Sequence, residues 1–141
     1  MRKIIFFSVV ILLLVISGYI YFSYYRAYDD GEKNGILNGF SRKGNVFKTN
    51  EGVILLPGGI GSAKSGGLQR NEFHFSVSDE AIADSLKKCV GMQVLVHYNQ
   101  YPKSLPWRGE SYPSANGNSR QFVVDRIISV TPAPNAYNGG I

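Results

Sequence analysis

From Ile4 to Phe22 the chain runs for 19 residues without a charge, and Ser23, Tyr24 and Tyr25 extend the run before Arg26 interrupts it. At about 1.5 Å of helical rise per residue, such a run crosses a hydrocarbon layer ~30 Å thick. A cleaved signal peptide is the competing reading, but its apolar core is only ~7–15 residues long and is followed by a small-x-small cleavage site. Gly18 is instead followed by Tyr19, Ile20, Tyr21 and Phe22, and no cysteine follows the run to accept a lipid. The expectation is an uncleaved anchor that meets the lipid bilayer through residues 4–25. Five of the nine tyrosines fall between positions 19 and 28, where amphipathic rings favour the headgroup zone.

Arg2 and Lys3 precede the run, whereas Arg26 is followed at once by Asp29, Asp30 and Glu32. The positive-inside bias then favours a cytoplasmic N-terminus and an exported C-terminal domain. The formal net charge of +5 is concentrated at these flanks, since residues 1–28 hold three cations and no acid. What remains is too weakly basic for a nucleic-acid footprint, which needs a concentrated cationic face. The lone Cys89 offers no intramolecular disulfide and reads as a packing residue.

Past the anchor, short apolar runs alternate with Gly, Asn and Pro, and only one segment has a helical period. The chain divides into an anchor (1–28), a juxtamembrane linker (29–34), a mainly β domain (35–130) and a flexible tail (131–141). Strands are expected over Gly35–Ser41, over Val46–Leu56 with a bend at Glu51-Gly52, over Glu72–Val77, over Gln93–Tyr98 and over Arg120–Val130. Gly39 marks a bulge in the first, and Arg42-Lys43-Gly44-Asn45 a hairpin turn. Phe73, Phe75 and Val77 alternate with His74 and Ser76, giving one apolar and one polar face. Ser78 is the expected cap of a helix whose buried face carries Ile82, Leu86, Cys89 and Val90, with Gly91 as its stop.

This order of five strands with a helix between the third and fourth resembles the oligonucleotide/oligosaccharide-binding barrel, a match of element order and not of motif. A narrower resemblance rests on Lys43-Gly44, Phe47-Lys48-Thr49-Asn50-Glu51-Gly52, Phe75 to Glu80, Val94 to Tyr98 and Pro106-Trp107-Arg108-Gly109. Together these stretches resemble a family of small single-pass membrane proteins of Bacteroidetes-type bacteria without assigned activity. Some of them carry the name phosphogluconate dehydrogenase, which these residues do not support. The resemblance covers most of residues 33–130 and supplies no catalytic residue.

Several stretches imitate chemistry. Gly58-Gly59-Ile60-Gly61-Ser62-Ala63-Lys64-Ser65 approaches a phosphate loop, but Ala63 occupies its second required glycine and Ser65-Gly66-Gly67 breaks the helix that must follow. As a dinucleotide loop it fails too, because Lys64 stands at the third glycine. A zinc site needs three or four ligands, but His74 and His97 are expected to point outward from their strands while Cys89 sits on the buried helix face, and no local signature joins a serine to either histidine and Asp125. The expectation is no catalytic residue, no metal and no cofactor.

The segment from Asn99 to Ser119 is the candidate for binding, since long loops without regular structure are often functional. It carries Tyr101, Lys103, Trp107, Arg108 and Tyr112. Two readings of its centre remain open. Either Trp107 folds back to cap the barrel while Arg108 pairs with Glu110 or Asp125, or both form an exposed edge. The second reading makes the chain a non-enzymatic adaptor for an envelope protein. An envelope glycan or small anionic ligand is the alternative, and single-stranded nucleic acid a weaker one.

Overall fold

A computed structural model describes residues 1–57, 71–113 and 119–133. The glycine-rich stretch 58–67 and most of the tail lie outside them. Helix α1, Arg2–Ile20, continues into a π-helical turn, Tyr21–Tyr25. None of its residues is buried by the rest of the chain, and it is long and apolar enough to cross a membrane.

The rest is mainly β. Strands β1 (Asp29–Lys43), β2 (Thr49–Leu55) and β3 (Glu72–Val77) precede helix α2 (Glu80–Lys87), and β4 (Gln93–Tyr101), β5 (Tyr112–Pro113) and β6 (Ser119–Thr131) follow it. They form one six-stranded sheet in the order β3-β2-β1-β4-β6-β5. Neighbours in that order are antiparallel, and a parallel pair, Ser76 opposite Val123, also joins β3 to β6. Where the sequence predicts five strands there are six, because the two residues of β5 pair with Ser119 and Arg120 inside the stretch read as a structureless loop.

β1 departs furthest from expectation. Residues 29–34, read as a linker, are its first six residues and pair with β4 from Asp29 opposite Gln100 onward. Mostly charged and broken by Gly31, they resemble no strand by propensity, but here β1 has only β4 beside it and its polar side chains reach water. At Ile36 the strand changes neighbours and runs on against β2 to Lys43. The register slips between Leu37 and Gly39, as the glycine predicts. Gly35 stands at the changeover so close to the Leu55 carbonyl that no Cβ fits. The turn uses Gly44, whose φ of 116° favours glycine. Val46 and Phe47, expected in β2, lie in the connection, so β2 starts later than predicted.

The core gathers Leu37, Ile54, Phe73, Phe75, Val77, Val94, Val96, Tyr98 and Val124, with Ala83 and Leu86 of α2 closing over it. In α2 the buried face turns slightly from the predicted one. Ala83 takes the place given to Val90, which is exposed beyond the end of the helix. The cap is Asp79 and not Ser78: its carboxylate accepts from the Ala81 and Ile82 amides at 2.8 and 3.2 Å. A carboxylate at this end also meets the positive pole of the helix dipole.

Candidate functional site

The site is built on the connection between β4 and β5, and its shape comes from two buried polar side chains, one on β2 and one on β6, the two strands that flank β3. Gln121 of β6 is fully buried. Its amide nitrogen donates to the carbonyls of Leu105 (3.1 Å) and Gly109, and its oxygen accepts from the Leu105 amide (3.3 Å) and from Arg108 Nε. All four bonds that a side-chain amide can make are thus spent on one loop. Glu51 of β2, 3% exposed, holds the other side. Its carboxylate accepts from Ser76 Oγ at 2.7 Å, Tyr112 Oη at 3.0 Å and the Glu110 amide at 3.2 Å. Gly109 packs so closely against Ser76 that a Cβ would overlap that side chain.

Between these clamps Leu105 is buried, while Trp107 is turned outward and is 55% exposed. Of the two readings of Trp107, the one in which it caps the core is therefore corrected: with Gln121 and Glu51 filling the space behind the loop, the indole packs edge-on against Phe47, ring centroids 6.1 Å apart. Val46, Phe47 and Trp107 together form an exposed apolar edge between the β1–β2 turn and the loop.

Arg108 also departs from expectation, pairing with neither Glu110 nor Asp125. Its guanidinium lies 3.7 Å from the centre of the Tyr101 ring. Besides Gln121 it donates to the Lys103 carbonyl at 2.7 Å and to the Tyr24 carbonyl at 2.6 Å. Tyr24 belongs to the last turn of the anchor, where helix carbonyls lack an intrahelical donor. Arg108 thereby caps the apolar N-terminal helix from the folded domain. Burial lowers the pKa of this guanidinium from its ordinary value. The Lys103 ammonium lies over two anchor rings, Tyr19 at 5.7 Å and Tyr24 at 5.0 Å.

Of the five residues picked from the sequence, Tyr101, Lys103 and Arg108 thus meet at the anchor, Trp107 faces solvent beside them, and Tyr112 lies on the far side of the loop. Tyr112 stacks on His74 at 5.2 Å and is held by Glu51. Burial first, and then the Glu51 carboxylate, push its phenol pKa upward. Sequence reasoning missed Glu51, Gln121, Ser76 and Phe47 as parts of the site. The only signal was polar residues at inward-facing strand positions, which became visible once the register was known.

His97 forms a second polar cluster. Nδ1 lies 2.6 Å from Asp125 and Nε2 lies 3.2 Å from Asp30, while Asn99 donates to the other Asp125 oxygen at 3.1 Å. Both ring nitrogens are engaged, which leaves neither free to take a proton from a nucleophile. The hydrogen bond to Asp125 raises the imidazole pKa above 6.5, against a smaller opposing effect of desolvation and with help from Asp30. A group with a raised folded-state pKa stabilises the fold fully below its unfolded value and loses that contribution as pH rises through the folded value. The melting temperature is accordingly expected to fall as pH rises from below 6.5 through the raised value, and His97→Gln is expected to flatten that slope. A slope unchanged in the variant would assign it to other groups. Among the described residues no three His, Cys, Asp or Glu side chains group as metal ligands do.

No curated protein and no solved structure matches the chain. A family model does match, over residues 27–112, from just after the anchor to the first residue of β5 and so including the whole clamped loop. With more than half of its length covered by that match, the chain belongs to the family described as a domain of unknown function, DUF8785.

Proposed function

We propose that the chain is a membrane-anchored, non-enzymatic binding module whose folded part is an oligonucleotide/oligosaccharide-binding type of barrel, and that it holds a protein partner of the cell envelope against the Trp107–Phe47 edge. Support for the barrel comes from the parallel Ser76–Val123 pair, which links β3 to β6 across a sheet whose other neighbours are antiparallel. The helix between β3 and β4 fits the same plan, and β5 is then an outgrowth of the connection before the last strand. The charge flanks of α1 support an N-terminus in the cytoplasm and a domain outside it.

The observation that carries the functional reading is an exposed tryptophan beside an exposed phenylalanine on a loop that buried polar groups already hold in place. Aromatic anchors dominate protein interfaces, and a preorganised loop loses little further entropy on binding. A glycan reading is weaker, because Arg108 already covers Tyr101 and commits each of its three nitrogens to Gln121, Tyr24 or Lys103.

Trp107→Ala and Phe47→Ala are expected to leave the melting temperature of the full chain nearly unchanged, since exposed substitutions usually shift stability by no more than ~0.5 kcal/mol. The same variants should lose co-purification of the partner from solubilised membranes. Capture that survives both substitutions would remove this edge from the function. Because Trp107 is the sole tryptophan, its fluorescence reports engagement directly.

A further inference from the structure

Two grooves open on either side of Pro102, where the anchor meets the β4–β5 connection. One, of 390 Å³, is lined by Phe22, Arg26, Ala27, Tyr28 and Pro102. The other, of 560 Å³, is lined by Tyr24, Pro102, Lys103, Ser104 and Ser119. Each therefore combines the end of the apolar helix with one cation.

Their depth follows from the helix. The run Ile4–Phe22 matches the hydrocarbon thickness at ~1.5 Å per residue, so Tyr24 to Arg26 fall at the level of the lipid phosphates. Arg26 folds back over the Phe22 ring, 4.6 Å from its centre, and the Lys103 ammonium stands over Tyr19 and Tyr24. Among the described residues neither cation has a carboxylate within ion-pair distance. Of the nearby acids, Asp30 is turned to His97, and Asp29 makes no ion pair with Arg26. Arg108 adds a third positive charge against Tyr24, bonded only to neutral acceptors.

We propose that these grooves seat the phosphates of anionic phospholipids from the leaflet at which α1 ends, with Arg26 and Lys103 as their ligands, an inference that rests on the membrane-anchor reading. Unpaired cations at headgroup depth, each beside an apolar wall that acyl chains can continue, complement a lipid phosphate and its glycerol backbone. The lipids would wedge between anchor and loop and fix the height at which Trp107 is presented.

The test uses the full chain in mixed phosphatidylglycerol and phosphatidylcholine micelles, with native mass spectrometry counting the lipids it retains. Phosphatidylglycerol should be enriched over phosphatidylcholine. Arg26→Gln and Lys103→Gln should each reduce that enrichment about fivefold, as expected for one interfacial cation, while Lys88→Gln on the far end of α2 should not. Equal retention of the two lipids, or an equal loss in Lys88→Gln, would overturn the proposal. Displacement of phosphatidylglycerol by excess inorganic phosphate would also overturn it, by making soluble phosphate the ligand. Carbonate extraction separates the two levels of inference: release of the chain would sink the anchor reading itself, whereas retention without lipid preference would sink the headgroup site alone.

Discussion

Glu51→Ala should be the most damaging single change in the domain, lowering stability by about 3–5 kcal/mol, because three donors lose a buried acceptor at once. Ser76 Oγ is fully buried, and Tyr112 Oη and the Glu110 amide are partly so. For a domain whose total stability lies in the usual range of ~5–15 kcal/mol, that is a large fraction. Glu51→Gln keeps one acceptor oxygen but turns a second donor toward Ser76, Tyr112 or Glu110, so roughly half of the loss is expected to remain. Thermal or urea unfolding of the three proteins decides the point. A loss below ~1 kcal/mol for Glu51→Ala would mean that the loop is held chiefly by Gln121.

Arg108→Ala should follow at about 2–4 kcal/mol in the full chain, from several hydrogen bonds made by a charged donor and the stack on Tyr101. One of those bonds reaches Tyr24, which a soluble fragment beginning at residue 29 lacks. The same substitution should therefore cost less in the fragment, by ~1–2 kcal/mol. That difference measures how firmly the domain is fixed to its anchor. Equal losses in both contexts would show that the bond to Tyr24 contributes nothing and that the domain swings freely at residues 26–28.

How much of this was legible in the sequence depended on whether a signal was local. The long apolar helix, the extent of β3 and the bulge at Gly39 follow from charge-free length, period-two alternation and one glycine, all of which neighbouring residues determine. The beginning of β1 does not, because Asp29 to Asn34 become strand only by pairing with β4, more than sixty residues on. Glu51 and Gln121 were illegible for the same reason. A polar residue in a strand reads as solvent-facing until its partners are known, and those of Glu51 at Glu110 and Tyr112 lie 59 and 61 positions away. Trp107 was read in two ways, as core or as edge, since composition cannot tell which side of a loop is already filled by an amide.

The long first strand also has a mechanical consequence. β1 is a single run from shortly after the apolar helix to the turn that presents Phe47, and it exchanges β4 for β2 midway. A pull between that turn and the apolar helix is directed along β1 itself. The ladder bonds on both sides then lie across the direction of force and share the load together, as overlapped strips resist sliding, where a load at the strand's edge would peel them one at a time. Under such a pull the lifetime of attachment is governed by the rate of unfolding and not by equilibrium stability.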